Sequence, residues 1–362
     1  MTAVSSTGLP DAVRSVAEAV NRRLADLLDG ELARWSAVDA DLAAPFEALR
    51  SYVLSGGKRL RPAFCFWAFV GAGGELADRA VVDAGAALEM LHTAALIHDD
   101  IIDGSLRRHG ADTVHVRFAD LHRRSGWAGR SSHFGEGSAI IIGDLALVYS
   151  SRLLAGAPGP AAAVFEEMRL EVNVGQYLDV LGAAEGVAGP ADGAARARRI
   201  CQYKTAKYTI ERPLHLGAAL ADPDRLADLA GPLSSFGLPL GEAFQLKDDL
   251  LGVFGDPAVT GKAVADDLRE GKPTLLASLA ASRVSGAERD WFADRFGAAD
   301  LTEADVARLQ RIIEDTGARA EVEAAITGLV NRSEQALSVL PIAEAARRAL
   351  AELARFVAGR DR

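Results

Sequence analysis

From Asp78 to Ile102 the chain runs through one long stretch rich in Ala, Leu and Ile, without proline, and closes on His98-Asp99-Asp100-Ile101-Ile102-Asp103. Such a run is too long for a strand and reads as a helix. A helix with a buried apolar face rarely gathers carboxylates on it, because buried charge is costly unless it is paired or metal-bound. Asp99 and Asp103 are four residues apart and share a face. At a helix C-terminus they oppose the macrodipole, so something positive should sit beside them. Arg107 and Arg108 follow at once, suited to bidentate phosphate contacts. Two carboxylates on one face make half of a hard-cation site. Mg²⁺ prefers few protein carboxylates, keeps its waters and takes its remaining oxygens from a substrate phosphate.

A lone Asp-Asp pair is most simply a solvated helix end. Here the pattern recurs: Gln245-Leu246-Lys247-Asp248-Asp249 follows Phe244 and precedes Leu250-Leu251, with Lys262 and Lys272 beyond. Two such pairs in apolar helical settings are hard to attribute to chance. A third element is Gly56-Gly57-Lys58-Arg59-Leu60-Arg61-Pro62. Glycines and cations at a helix start form an anion site from free N–H groups, the positive dipole end and long side chains. Its spacing and its missing Ser/Thr exclude a Walker A loop. One site would bind phosphate through metal and the other directly through Lys and Arg, which suggests two different phosphorylated substrates.

The remaining pattern is helical. Val13, Val16, Val20, Leu24, Leu27 and Leu28 mark a helix from Asp11, and 42–52, 63–70, 138–155, 161–181, 191–220 and 223–253 continue the style. Pro62 suits a first helical turn and Pro213 should kink its helix. Residues 273–357 read as amphipathic helix with short breaks. Residues 120–137, with Gly126, Gly129, Ser131-Ser132 and Gly135, read as an irregular, mobile surface loop. Gly255, Pro257 and Gly261 read as a second loop, and 1–10 as disordered. No Val/Ile/Thr alternation is long enough for a sheet. The expected fold class is all-α. At 362 residues, length alone would suggest two domains. No linker or shift in composition divides the chain, so a single large helical domain over 11–362 is expected.

A net charge of -10 argues against nucleic acid, which needs basic patches. Positive charge is local, at Lys58-Arg59-Leu60-Arg61, Arg107-Arg108 and Lys204, as suits a small anionic ligand. Cys65 and Cys201 belong to no Cys-x-x-Cys pair and read as small core residues. Neither a signal peptide nor an 18-residue uninterrupted apolar window is evident, so no transmembrane segment and a cytoplasmic location are expected.

The spacing Asp99-Asp100-x-x-Asp103, three residues, Arg107-Arg108, combined with Gly-Gly-Lys-Arg-x-Arg-Pro, resembles the trans-type isoprenyl diphosphate synthases, or polyprenyl synthetases. Lys204-Thr205, Gln176-Tyr177-Leu178-Asp179 and Gly271-Lys272-Pro273-Thr274 fit the same family, and the likeness runs from Gly56 to about Leu276. The resemblance implies an isoprenoid-synthase helical bundle with a central cavity. It implies a Mg²⁺-dependent, head-to-tail joining of isopentenyl diphosphate to an allylic diphosphate (dimethylallyl, geranyl or farnesyl), in a homodimer with about three Mg²⁺ per site. In that scheme Asp99, Asp103 and Asp248 hold metal, with Asp100 and Asp249 in support. Arg107, Lys204, Lys262 and Lys272 contact the allylic diphosphate. Lys58, Arg61, His92 and Arg108 hold isopentenyl diphosphate, with Gly57 lending backbone. Thr205 and Gln245 lie near the reacting carbons.

One departure stands out. The second cluster reads Asp248-Asp249-Leu250-Leu251-Gly252, and its fifth position, Asp in many family members, is Gly; Asp256 lies four residues on. For product length, the resemblance points to the positions four and five before Asp99, here Ala95 and Ala94. Small residues there disfavour an early stop, and a floor at Leu91, about one 5.4 Å helical turn deeper, suits a C20 chain. Geranylgeranyl diphosphate is the expected product, with farnesyl (C15) or longer products (C25 and above) as alternatives. Rivals from other classes are a class I terpene cyclase and a non-catalytic subunit of a heteromeric synthase. A cyclase would not need the Lys58/Arg61 site, and an inactive subunit would tend to erode the first cluster or its arginines.

Overall fold

The computed structural model describes residues 9–108, 110–187, 192–255, 266–298 and 300–359. The chain is built from helices: α1 (Asp11–Ser36), α2 (Ala43–Leu54), α3 (Leu60–Gly71), α4 (Arg79–Ile102), α5 (Val114–Arg124), α6 (Ser131–Leu153), α7 (Gly159–Glu185) and α8 (Gly193–Ile200). A π-helix (Cys201–Glu211) leads into α9 (Arg212–Ala221) and α10 (Leu226–Phe254). Then come α11 (Asp266–Glu270), α12 (Leu275–Arg283), α13 (Gly286–Arg295), α14 (Glu303–Asp315), α15 (Ala318–Ser338) and α16 (Glu344–Ala358). The all-α expectation holds. The strand content among the described residues is one antiparallel pair of two-residue strands, β1 (Arg107–Arg108) and β2 (Ala111–Asp112). The expected disorder over 1–10 and the loop residues Pro257 and Gly261 fall largely or wholly outside the described residues.

Two compact units emerge: Met1–Ala163 with Pro213–Leu226 and Ile342–Ala349, and Val164–Arg212 with Ala227–Pro341 and Leu350–Arg362. In the first, α4 is the central helix, capped at its start by the Asp78 carboxylate accepting from Ala80 N. Its Met90, Ala94 and Ile97 pack with Val16, Leu24 and Leu28 of α1, Phe46 and Leu49 of α2, and Ile142 and Tyr149 of α6. By length and composition α4 is apolar enough to cross a membrane, yet 67% of its most apolar window is buried inside the protein, as in a core helix. Its C-terminal end projects the first acidic cluster from this core. In the second unit, Ala243, Leu246, Leu250 and Val253 of α10 pack with Leu275, Leu276, Leu309, Ile312 and Leu329. That core supports the second acidic cluster.

Two local expectations need correction. Residues 120–137 are mostly helical, with α5 ending at Arg124 and α6 starting at Ser131. Gly135 marks close packing and not a break: a Cβ there would lie 2.2 Å from the His115 carbonyl oxygen. The single kinked helix expected over 191–220 is instead α8, the π-helix and α9. The Arg212 N–H donates to the Lys207 carbonyl, an i→i+5 bond. Glycines flank the wider π turn on both sides. A Cβ on Gly175 of α7 would meet Lys204 N at 2.4 Å, and one on Gly241 of α10 would meet Ala206 Cα at 2.6 Å.

Candidate active site

In the first unit, Asp103 follows α4 as its C-cap and its N–H donates to the Asp99 carbonyl at 2.8 Å. Asp99 and Asp103 are half-buried, and so are His92 and Ala95 on the same helical stripe. Asp100 points elsewhere: it is 1% exposed, accepts from Arg108 Nε at 2.7 Å and from the Tyr52 hydroxyl at 3.3 Å. Burial pushes its carboxyl above the ordinary range despite Arg108. The same burial and the negative charge of Asp100 push the Tyr52 phenol well up. Arg108 also lies 3.9 Å from Asp99. The β1–β2 pair holds both arginines: Arg108 is drawn inward to the carboxylates, while Arg107 stays exposed and donates to the Gly110 carbonyl at 2.5 Å.

The cationic loop is anchored to α4 by Arg59. Gly56 and Gly57 have φ of 131° and 127°, and Arg59 itself stands at φ 51°, the left-handed region that a non-glycine residue adopts at a cost. Buried Arg59 makes an ion pair with buried Glu89, donates to Asn21 Oδ1 at 2.9 Å, and donates to the Val53 carbonyl at 2.6 Å. Lys58 and Arg61, on either side of it, are half-buried. His92 lies one turn beyond Glu89 on the same face of α4.

The second unit carries a hydrogen-bond chain. Thr205 Oγ1 donates to Gln245 Oε1 at 2.6 Å, and Gln245 Nε2 donates to Asp249 Oδ1 at 2.7 Å. Lys204 Nζ donates to Asp179 Oδ2 at 2.6 Å, so Lys204-Thr205 on the π-helix is tied to both α7 and α10. Asp249 is buried, and desolvation together with the charges of Asp267 and Asp248 pushes its carboxyl up to about 8, against the pull of Gln245 and Lys272. Lys272 pairs with Glu270 at 2.6 Å, and its N–H donates to the Asp267 carbonyl at 3.2 Å. Lys262 and Asp256 lie outside the described residues.

Asp267 is the residue that reading the sequence missed, and it bears on the glycine at 252. A Cβ on Gly252 would lie 1.9 Å from Asp267 Oδ2. The Asp267 carboxylate, from α11, therefore takes the space that a side chain at 252 would need. A carboxylate from further along the chain thus stands beside the fifth position of the cluster. The signal was present as a third Asp-Asp pair, Asp266-Asp267, just before Lys272. Tyr52 was also missed, and no sequence pattern points to it.

Of the chain-length positions, Ala94 and Leu91 are buried while Ala95 is half-exposed. The oxygen donors fit Mg²⁺. Burial, reinforced by the neighbouring Asp267 and Asp248 carboxylates, raises Asp249 to about 8, and a cation beside the cluster would relieve that buried charge. Among the described residues no three His, Cys, Asp or Glu side chains form a preformed metal cage. Mg²⁺ takes one or two protein carboxylates and completes its shell with water and phosphate.

Comparison with known proteins gives a consistent picture. The family model for polyprenyl synthetases matches residues 44–313. A geranylgeranyl diphosphate synthase from Mycobacterium tuberculosis is 34% identical over 268 residues, 73% of this chain and 69% of that protein. A geranylfarnesyl diphosphate synthase from Aeropyrum pernix is 32% identical over 310 residues, 83% of this chain and 89% of that protein. Among solved structures, the geranylgeranyl pyrophosphate synthase from Corynebacterium glutamicum, complexed with isoprenyl diphosphate and magnesium, has a TM-score of 0.86 at 38% identity, covering 96% of this chain and 99% of that one.

Proposed function

The chain belongs to the polyprenyl synthetase family, and from that premise we propose how it works as an isoprenyl diphosphate synthase. It is a prenyl transferase. The reaction joins isopentenyl diphosphate to an allylic diphosphate and gives geranylgeranyl diphosphate. The observation that carries this reading is the contrast between two kinds of anion site. One kind is carboxylate-rich, at Asp99/Asp103 and at Asp248/Asp249/Asp267. The other is the cationic loop Lys58–Arg61 held by the buried Arg59–Glu89 pair.

In the proposed mechanism Asp99, Asp103 and Asp248 hold Mg²⁺ for the allylic diphosphate, with Asp100, Asp249 and Asp267 in support. Mg²⁺, when bound, neutralises charge building on the departing diphosphate. Arg107, Lys204, Lys262 and Lys272 supply fixed positive charge to the same group. Lys58, Arg61, His92 and Arg108, with the Gly57 backbone, orient isopentenyl diphosphate. The allylic C–O bond breaks, and the double bond of isopentenyl diphosphate forms the new C–C bond. A proton then leaves to the released diphosphate. Thr205 and Gln245, aligned by their mutual hydrogen bond and by Asp249, present oxygen dipoles to the allylic cation. Excluding water protects that cation from capture.

The C20 product is favoured by Ala95, small and half-exposed on the stripe that carries Asp99, with Leu91 one turn deeper. The relatives' names run from farnesyl (C15) through geranylgeranyl (C20) and geranylfarnesyl (C25) to nonaprenyl products, so direct product analysis decides. We further propose a cytoplasmic homodimer. Exposed Ile140, Ile141 and Val148 on α6 of the first unit, and separately exposed Leu170, Val174 and Tyr177 on α7 in the second, are apolar side chains such a dimer would cover. Incubation of the purified chain with both diphosphates, with and without Mg²⁺, tests the reaction. Light scattering at several concentrations tests the dimer.

A further inference from the structure

A π-helix costs hydrogen-bond geometry and persists where the surroundings enforce it, often at functional sites. Here it carries Lys204 and Thr205, and α7 presents three residues to it at successive four-residue steps: Glu171, Gly175 and Asp179. Asp179 accepts from the Lys204 ammonium. Gly175 lets the Lys204 backbone approach to a distance no side chain would permit. Glu171, 6% exposed, is the third and the most heavily bonded. Its Oε2 accepts from Arg212 Nε at 2.6 Å, and its Oε1 accepts from Arg212 Nη2 at 2.7 Å and from the Lys207 ammonium. Lys207 also lies 4.9 Å over the Tyr203 ring, beside Lys204.

The spacing of the two cations is informative. Lys207 and Arg212 are five residues apart. In an α-helix, with 3.6 residues per turn, they would point about 140° from one another. In the π-helix the Arg212 N–H bonds the Lys207 carbonyl, which stacks the two residues and lets one carboxylate grip both. Glu171 therefore selects the π register over the α register. Sliding to the α register would rotate Lys207 away from Glu171 and turn Lys204 and Thr205 relative to Asp179 and Gln245.

We propose that Glu171 is a positioning residue for prenyl transfer: by clamping Lys207 and Arg212 it holds the π register that aims Lys204 and Thr205. The role in catalysis rests on the proposed function, while the register lock does not.

The test compares Glu171→Gln with Glu31→Gln. Glu31 is an equally buried acid in the first unit, bonded to Trp35, Tyr149 and Arg152 and remote in sequence from every proposed site residue. Glu171→Gln should speed backbone amide exchange over 201–211. It should lower kcat with the allylic substrate by about tenfold or more, as small misplacements of catalytic groups do, and leave KM for isopentenyl diphosphate unchanged. Glu31→Gln should lower thermal stability without either effect. Lys207→Met, which keeps the Glu171–Arg212 pair, should give a smaller loss in the same direction and serves if Glu171→Gln fails to fold. Unchanged exchange over 201–211 in both Glu171→Gln and Lys207→Met would overturn the lock. Equal activity losses in the Glu171 and Glu31 variants would reduce Glu171 to general stability. A wild-type protein without prenyl transfer would instead sink the proposed function, and the exchange result would still stand.

Discussion

Gly252 and Asp267 provide a quantitative test of the second acidic cluster. A Cβ at 252 would lie 1.9 Å from Asp267 Oδ2 and 2.5 Å from Asp267 Cγ. Neither contact is tolerable, so Gly252→Ala must displace the Asp267 carboxylate. Gly252 sits inside α10, where Ala is favoured over Gly by about 0.8–1 kcal/mol. Overpacking costs about 1–3 kcal/mol. The net loss of stability is then roughly 0–2 kcal/mol, small against the 5–15 kcal/mol typical of folded proteins, and the variant should remain assayable. The effect on metal binding should be larger, since removing a supporting carboxylate typically costs about 10–100-fold in metal affinity. Asp267→Asn should do the same without the steric cost. Gly252→Asp combined with Asp267→Ala returns a carboxylate to position 252 and clears its space, so it should recover most of the loss. Initial rate against Mg²⁺ concentration at fixed substrates is the assay, with calorimetric titration of Mg²⁺ in inorganic diphosphate as a measure independent of turnover. If both single variants keep the wild-type Mg²⁺ dependence, or if the double variant is as poor as the two losses added, Asp267 does not replace the missing carboxylate.

Other outcomes follow from the same geometry. Asp103→Ala and Asp248→Ala should each abolish measurable prenyl transfer in a radiolabel assay while the protein stays folded by circular dichroism. Ala95→Phe should shorten the product by one isoprene unit or more in chromatography, and an unchanged product would remove Ala95 from the channel. Burial raises the Glu171 carboxyl, but Arg212 and Lys207 outweigh it and hold the group below the ordinary range. Its contribution to stability is therefore complete above the ordinary Glu value of about 4.3 and lost as pH falls through its own lower value. Thermal scans between pH 3 and 6 should show that loss, and Glu171→Gln should blunt it. If 11–362 acts as one domain, calorimetry should show a single cooperative transition; two resolved transitions would divide it.

Much of this molecule was legible in its sequence, and the exceptions have physical causes. Helical periodicity located α1, α4 and α10, because each buries a long apolar face. The acidic pairs were visible because carboxylates beside Ile97, Ile101 and Leu250 conflict with their surroundings. The stretch 120–137 was misread because Gly135 looks like a helix breaker, whereas its missing Cβ admits the His115 carbonyl of a neighbouring helix. The π-helix left no periodic trace, since its register depends on Glu171, some thirty to forty residues upstream. Asp267 was overlooked for a similar reason. Only the close approach of α11 to Gly252 joins it to Asp248 and Asp249.

The central claim is that this chain alone joins isopentenyl diphosphate to an allylic diphosphate through a metal-held leaving group. Purified protein supplied with isopentenyl and farnesyl diphosphates should form geranylgeranyl diphosphate in the presence of Mg²⁺ and nothing after chelation. Hydrocarbon from the allylic substrate alone, or no product with Mg²⁺ present, would contradict it.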